Sequence, residues 1–163
     1  MKAFKSIFGI LIFAATLPLI TSCESNEVDG KWKDAIKLST NKASFGSAAD
    51  SVVITSKGTW WWFTEIRTNS NIYYPIREEG GNDNPSSWYV KDRSDTLTYK
   101  IPSIHKDDEY TINDDFFDIK KIGLNRLIIK LNANETSADR YVMIDLEAGD
   151  YFETVTILQS GKK

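Results

Sequence analysis

The feature that most constrains the fold is a strict two-residue alternation near the C-terminal end of the chain. From Arg140 to Ala148, the residues Val142, Ile144, Leu146 and Ala148 alternate with Tyr141, Met143, Asp145 and Glu147, so an extended backbone places an aliphatic face opposite a mixed one. Gly149-Asp150 supplies a turn, and Tyr151 to Gln159 returns with Val155 and Ile157 on one side and Thr154 and Thr156 on the other. These two segments predict an antiparallel hairpin with one buried face. Leu127, Ile129 and Leu131 alternate in the same way with Ile128, Lys130 and Asn132, and Ser51–Thr55 and Thr59–Ile66 predict two further strands joined at Ser56-Lys57-Gly58. No stretch beyond Ile36 sustains a helical period. The expected class is all-β, with apolar faces buried by packing two sheets together.

The N-terminus follows a different logic. Lys2 and Lys5 precede an apolar run from Ile7 to Ile20, about 14 residues long and short of the roughly 20 that cross a bilayer as a helix. Thr21-Ser22 then lead to Cys23, the sole cysteine. The pattern predicts a lipoprotein signal peptide over residues 1–22, with Cys23 as the lipidation site. Two or three acyl chains there would anchor the protein to the outer membrane, at the cell surface or on the periplasmic face. Residues 23–35, polar and acidic through Glu24, Glu27 and Asp29, are expected to serve as lipidated Cys and tether, spanning at most about 40 Å. This stretch is similar to the acidic signal that sends some Bacteroidetes lipoproteins to the cell surface. Residues 36–163 then form one domain without an intrachain disulfide.

Charge and side-chain inventory narrow the function. Two of the 20 basic residues lie in the leader and all 23 acidic ones lie beyond it, which leaves the exported chain at a formal charge of −5. Its basic residues are scattered, so nucleic-acid binding is not expected. His105 is the only histidine, which argues against a histidine-rich metal site and against a Cys-His nucleophile once Cys23 is acylated. Asp107-Asp108-Glu109 and Asp114-Asp115 pair carboxylates, yet neighbours in a loop diverge instead of flanking a scissile bond. Glu78 to Asn84 offers oxygen ligands without the alternating spacing of a calcium loop. Asp50-Ser51-Val52 and Asp95-Thr96-Leu97 resemble the short Asp-Ser/Thr-apolar acceptor of Bacteroidetes O-glycosylation. No catalytic residue, metal site or cofactor is expected, and the chain reads as non-enzymatic.

Two segments, Leu38–Trp62 and Asn125–Gly161, carry a more specific pattern. A serine-containing opening strand, a short apolar strand and Thr59-Trp60 are followed by the Asn134-Glu135-Thr136 turn, Arg140 opening a strand, and Gln159-Ser160-Gly161 at the close. This order resembles the BACON family, the Bacteroidetes-associated carbohydrate-binding often-N-terminal domain. The resemblance implies an immunoglobulin-like β-sandwich, found in surface lipoproteins or appended to secreted glycan-degrading enzymes, with a role in sugar binding or as a spacer. About 60 residues, Arg67 to Leu124, exceed the family pattern and are expected to form an insertion or an extra pair of strands. Phe116-Phe117 stands where relatives often carry a second tryptophan.

The aromatic residues decide where a ligand would sit. Simple alternation puts Trp60 and Trp62 on one face with Thr64 and Ile66, and Trp61 and Phe63 on the other with Glu65. The first set is expected in the core. The second, with Tyr73, Tyr74, Trp88 and Tyr89 from the insertion, supplies the candidate glycan-binding residues, since sugars stack their C–H faces on flat rings. The favoured expectation is a cell-envelope lipoprotein that binds polysaccharide or works with glycan-uptake proteins. The alternative is a structural or adhesive protein–protein interaction module that binds no sugar and adds a partner strand to a sheet edge.

Overall fold

The computed structural model describes residues 33–76, 86–92, 94, 96–106 and 109–163. The signal peptide, Cys23, the tether as far as residue 32, the Glu78–Pro85 run and Asp107-Asp108 lie outside the described residues. The first six strands are β1 (Lys42–Phe45), β2 (Asp50–Thr55), β3 (Trp62–Thr68), β4 (Asn71–Ile76), β5 (Ser87–Asp92) and β6 (Leu97–Pro102). The remainder are β7 (Ile104–Lys106), β8 (Glu109–Asp114), β9 (Phe117–Ile122), β10 (Arg126–Leu131), β11 (Arg140–Ala148) and β12 (Tyr151–Gln159). They form an all-β sandwich of two sheets, one ordered β1-β12-β11-β3-β4-β5-β6 and the other β2-β10-β9-β8-β7.

The C-terminal alternation yields the hairpin it predicts. β11 and β12 pair antiparallel from Arg140↔Gln159 to Ala148↔Tyr151, and Gly149 takes φ of 63° in the turn between them, a conformation that costs a residue with a Cβ about 1 kcal/mol or more. Val142, Ile144, Leu146, Val155 and Ile157 are fully buried. They meet Leu127, Ile129 and Leu131 of β10, which alternation also assigned to the inside. The strands flanking Ser56-Lys57-Gly58 do not pair with each other. β2 joins β10 in the five-stranded sheet and β3 joins β11 in the seven-stranded one, so this short connection crosses between the layers. Residues 67–124 hold more than an extra pair of strands. They supply β4, β5 and β6 to the larger sheet and β7, β8 and β9 to the smaller.

The facing of the tryptophans is the reverse of the alternation expected from sequence, and a β-bulge is the cause. β3 pairs with β11 through Asp145↔Glu65 and then Leu146↔Phe63, which leaves Thr64 as an extra residue on β3. One inserted residue shifts the phase of everything before it. Ile66 and Phe63 therefore share the inner face, and Trp61 joins them at 2% exposure, whereas Trp60 is 63% exposed. Trp62 lies half-buried on the outside.

The residues Asn134, Arg140, Gln159 and Gly161 converge at one end of the sandwich. Asn134, buried, donates from Nδ2 to the carbonyls of Ala138 at 2.9 Å and Ser160 at 3.1 Å, and its Oδ1 accepts from the Thr136 amide and hydroxyl. Gln159, also buried, donates to the carbonyls of Ala48 and Asn132, while its Oε1 accepts from Arg140 Nε at 2.8 Å. The Arg140 guanidinium lies 4.2 Å from the Phe116 ring centroid. These groups satisfy one another and tie the β10–β11 loop to the end of β12, a structural role.

Candidate functional site

The candidate site lies on the outer face of the seven-stranded sheet and is assembled by strand register. Glu147 of β11 stands between Trp62 on β3 and Phe152 on β12, and the neighbouring row is Glu65, Asp145 and Thr154. Adjacent strands are about 4.8 Å apart, so each row forms a shallow strip of side chains across three strands. Trp60, just ahead of β3, packs edge-on against Trp62 with ring centroids 5.1 Å apart. Its ring edge lies against Gly149, in the turn that also carries Asp150. Trp62 donates its indole N–H to Glu147 Oε2 at 3.2 Å, while Phe152 is 63% exposed. Trp60 and Phe152 thus leave large apolar ring surface open to solvent beside a row of carboxylates.

Below this aromatic strip is an open cleft of about 390 Å³ lined by Thr64, Glu65, Arg67, Tyr74, Asp145, Phe152, Glu153 and Thr154. Its charges are interlocked. Arg67 lies 3.0 Å from Glu65 through Nε and 2.7 Å from Asp145 through Nη2, and Thr154 donates to the second Asp145 oxygen at 2.6 Å. The Arg67 Nε approach to Glu65 is close enough for charge attraction but misses hydrogen-bond alignment. Burial pushes the Glu65 carboxyl above its ordinary value; Arg67 counteracts that, and the Asp145 charge adds to it. The bulge at Thr64 brings these groups together, since it turns both Thr64 and Glu65 outward, and the Thr64 hydroxyl donates to the Asp145 carbonyl at 3.2 Å.

Four of the six aromatic residues assigned to glycan binding from sequence are withdrawn from water: Trp61, Phe63, Tyr73 and Trp88 are each 0–2% exposed. Trp61 donates to the Ser56 hydroxyl at 2.9 Å, and its ring sits under the buried Lys121 ammonium, 4.4 Å from the centroid. Tyr73 donates to Asp114 Oδ2 at 2.8 Å, and Trp88 donates to the Tyr110 hydroxyl. Phe63 packs among Trp61, Trp88 and Tyr110. A core between two sheets needs large apolar volume, and these rings supply it. Tyr74 and Tyr89 remain at the surface as cross-strand partners, but Lys91 lies 5.4 Å from the Tyr74 ring and Lys100 lies 6.0 Å from the Tyr89 ring. Those cations occupy ring faces that would otherwise be open.

Sequence reasoning missed Trp60, Trp62, Phe152 and the charged groups beside them. Phe152 was legible, since it alternates with the buried Val155 and Ile157 side of its own strand. The tryptophans were not, because nothing in the local sequence announces the bulge. Two further clefts, one around Phe45, Asp139, Arg140 and Tyr141 and one around Asn113, Asp114, Asp115 and Asp118, have no aromatic strip of this kind. Among the described residues no group of three or more His, Cys, Asp or Glu side chains is placed to hold a metal ion.

No known protein-family model matches the chain, and no curated protein sequence matches it. Among solved structures, it is similar to the NMR structure of a protein from Bacteroides thetaiotaomicron, with 15% identity and a TM-score of 0.54 over 83% of this chain and 95% of that one. It also aligns with a Bacteroides ovatus GH5 xyloglucanase solved in complex with a XXXG heptasaccharide, at 12% identity and a TM-score of 0.40. That alignment covers 78% of this chain and 19% of the xyloglucanase. The first likeness is one of fold alone, and the second is too loose to bear on fold or function.

Proposed function

We propose that this protein is a non-enzymatic, BACON-type lipoprotein of the cell envelope, held to the outer membrane through Cys23, that binds glycan on its own or in support of a glycan-uptake system. The observation that carries the reading is the open Trp60 ring packed edge-on to Trp62 on the outer face of the sheet, with Phe152 and hydrogen-bonding carboxylates alongside. Sugar recognition needs this combination: apolar ring faces for the C–H surface of a pyranose, and polar groups at the rim for its hydroxyls.

A glycan array probed with the full chain in detergent tests the proposal. Binding to at least one polysaccharide, lost in Trp60→Ala and weakened in Phe152→Ala, is the expected result. Uniform silence across host and plant polysaccharides, with tryptophan fluorescence unmoved, would transfer the function to the interaction module. One observation favours that second reading: β2 is the terminal strand of its sheet and exposes Val53 to 48%, a combination suited to strand addition by a partner protein.

A further inference from the structure

We infer that the occupant of the Trp60–Trp62–Phe152 face is a saccharide bearing protonated amines, selected by the carboxylates around the rings; this deepens the glycan-binding reading and rests on it. Glu147 is the immediate cross-strand neighbour of both Trp62 and Phe152, so it lies about 5 Å from each backbone position and beside any sugar stacked there. Glu65, Asp145 and Glu153 line the adjoining cleft, where Arg67 is the one cation among the lining residues. Its guanidinium is engaged by two of those carboxylates at 3.0 and 2.7 Å. Asp150 adds a further exposed acid in the turn against which Trp60 rests.

Arg67 of β3 and the exposed Lys42 of β1 stand in the row of Met143 and Thr156, two rows along the sheet from Trp62, Glu147 and Phe152. Lys91 and Lys100 sit over Tyr74 and Tyr89, on β5 and β6, whereas the open rings belong to the β3, β11 and β12 side. Two or more strand spacings separate β3 from them, about a Debye length at ordinary salt. Lys91 covers Tyr74 at the far side of the cleft, in the row of Arg67, whereas Glu147, between Trp62 and Phe152, has no cation in its own row of β3, β11 and β12. A saccharide on the open rings meets the acidic field. An ammonium on it gains, an uncharged chain is indifferent, and a uronate or sulfate is repelled.

The magnitude follows from charges about 6 Å apart at a wet surface, where one uncompensated carboxylate changes affinity for a unit charge roughly threefold at low salt. Two such carboxylates give about a tenfold preference, which shrinks to about twofold near 0.5 M salt. The full chain in detergent is titrated by tryptophan fluorescence with three β-1,4-linked oligomers of equal length: glucosamine, N-acetylglucosamine and mannuronate, held near pH 6 so that the first is cationic.

The expected order is glucosamine about tenfold tighter than N-acetylglucosamine, with mannuronate weakest and the spread collapsing in high salt. Glu147→Gln keeps an acceptor for the Trp62 indole and is expected to cut the glucosamine-to-N-acetylglucosamine ratio about threefold. Equal affinities, a mannuronate preference, or an unchanged ratio in Glu147→Gln would overturn the charge selection while leaving glycan binding in place. Silence toward all three oligomers, and toward every polysaccharide of the array, would overturn both.

Discussion

Replacing Trp61 and Trp60 separately by alanine removes one buried and one exposed ring from adjacent positions of the chain. Trp61 is 2% exposed, donates its indole N–H to Ser56 Oγ at 2.9 Å and packs edge-on to Phe63 at 5.9 Å. Removing a ring that buries roughly 200 Å² forfeits about 5 kcal/mol of burial as an upper bound, and measured large-to-small changes at such sites fall at about 3–5 kcal/mol. For a domain of this size the melting temperature should fall by roughly 10–20 °C. Trp60, at 63% exposure, withdraws about a third of its surface from water, so Trp60→Ala should cost at most about 2 kcal/mol and leave the melting temperature within several degrees. Thermal and urea denaturation followed by far-UV circular dichroism give the melting temperature and the stability of each variant, with glycan binding measured on the folded variants. The expected pattern is one stability variant and one binding variant. If Trp60→Ala proved as destabilising as Trp61→Ala, the phase shift at Thr64 would be wrong, and with it the identity of the exposed face.

The other predictions concern parts of the fold with different physical origins. Asn134→Ala removes a buried side chain with four hydrogen bonds and leaves backbone partners unsatisfied, so it should cost about 2–4 kcal/mol in the same denaturation assay; a loss below about 0.5 kcal/mol would refute the network. Gly161→Ala would set a Cβ 2.3 Å from the Ser137 carbonyl oxygen, a backbone clash that must displace the C-terminal segment, and a destabilisation of about 2 kcal/mol or more is expected. The Glu65 carboxyl has its pKa raised above 4.5 by burial, so its contribution to stability is present below the unfolded value and lost as pH rises through the folded value. Wild type should therefore gain stability relative to Glu65→Gln as pH falls from neutrality toward about 4.5, and a parallel pH profile for the two proteins would contradict this.

Much of the core was legible in the sequence because it rests on the period-two rule operating over uninterrupted strands. Val142, Ile144 and Leu146 of β11, Val155 and Ile157 of β12, and Leu127 and Ile129 of β10 face inward as their spacing requires. Gly149 marks the turn because a positive φ favours the residue without a Cβ. The sequence pattern also singled out Asn134, Arg140, Gln159 and Gly161, though only the tertiary structure shows the hydrogen bonds by which they join the β10–β11 loop to the end of β12.

The candidate site was hidden for an equally definite reason. A bulge adds one residue on one strand and is specified by the pairing with β11, not by the residues around Thr64, so no local rule could tell which of four consecutive aromatics would face water. Likewise, residues 67–124 spell strands without saying which sheet each one enters, because pairing partners are chosen by contacts distant in the chain. By itself the sequence determined the class of secondary structure, the hairpin and the aliphatic interior, all consequences of short-range geometry. Tertiary structure alone decided the side of the sheet on which Trp60 and Trp62 emerge and the carboxylates they stand beside, because both depend on register between strands brought together from opposite ends of the domain.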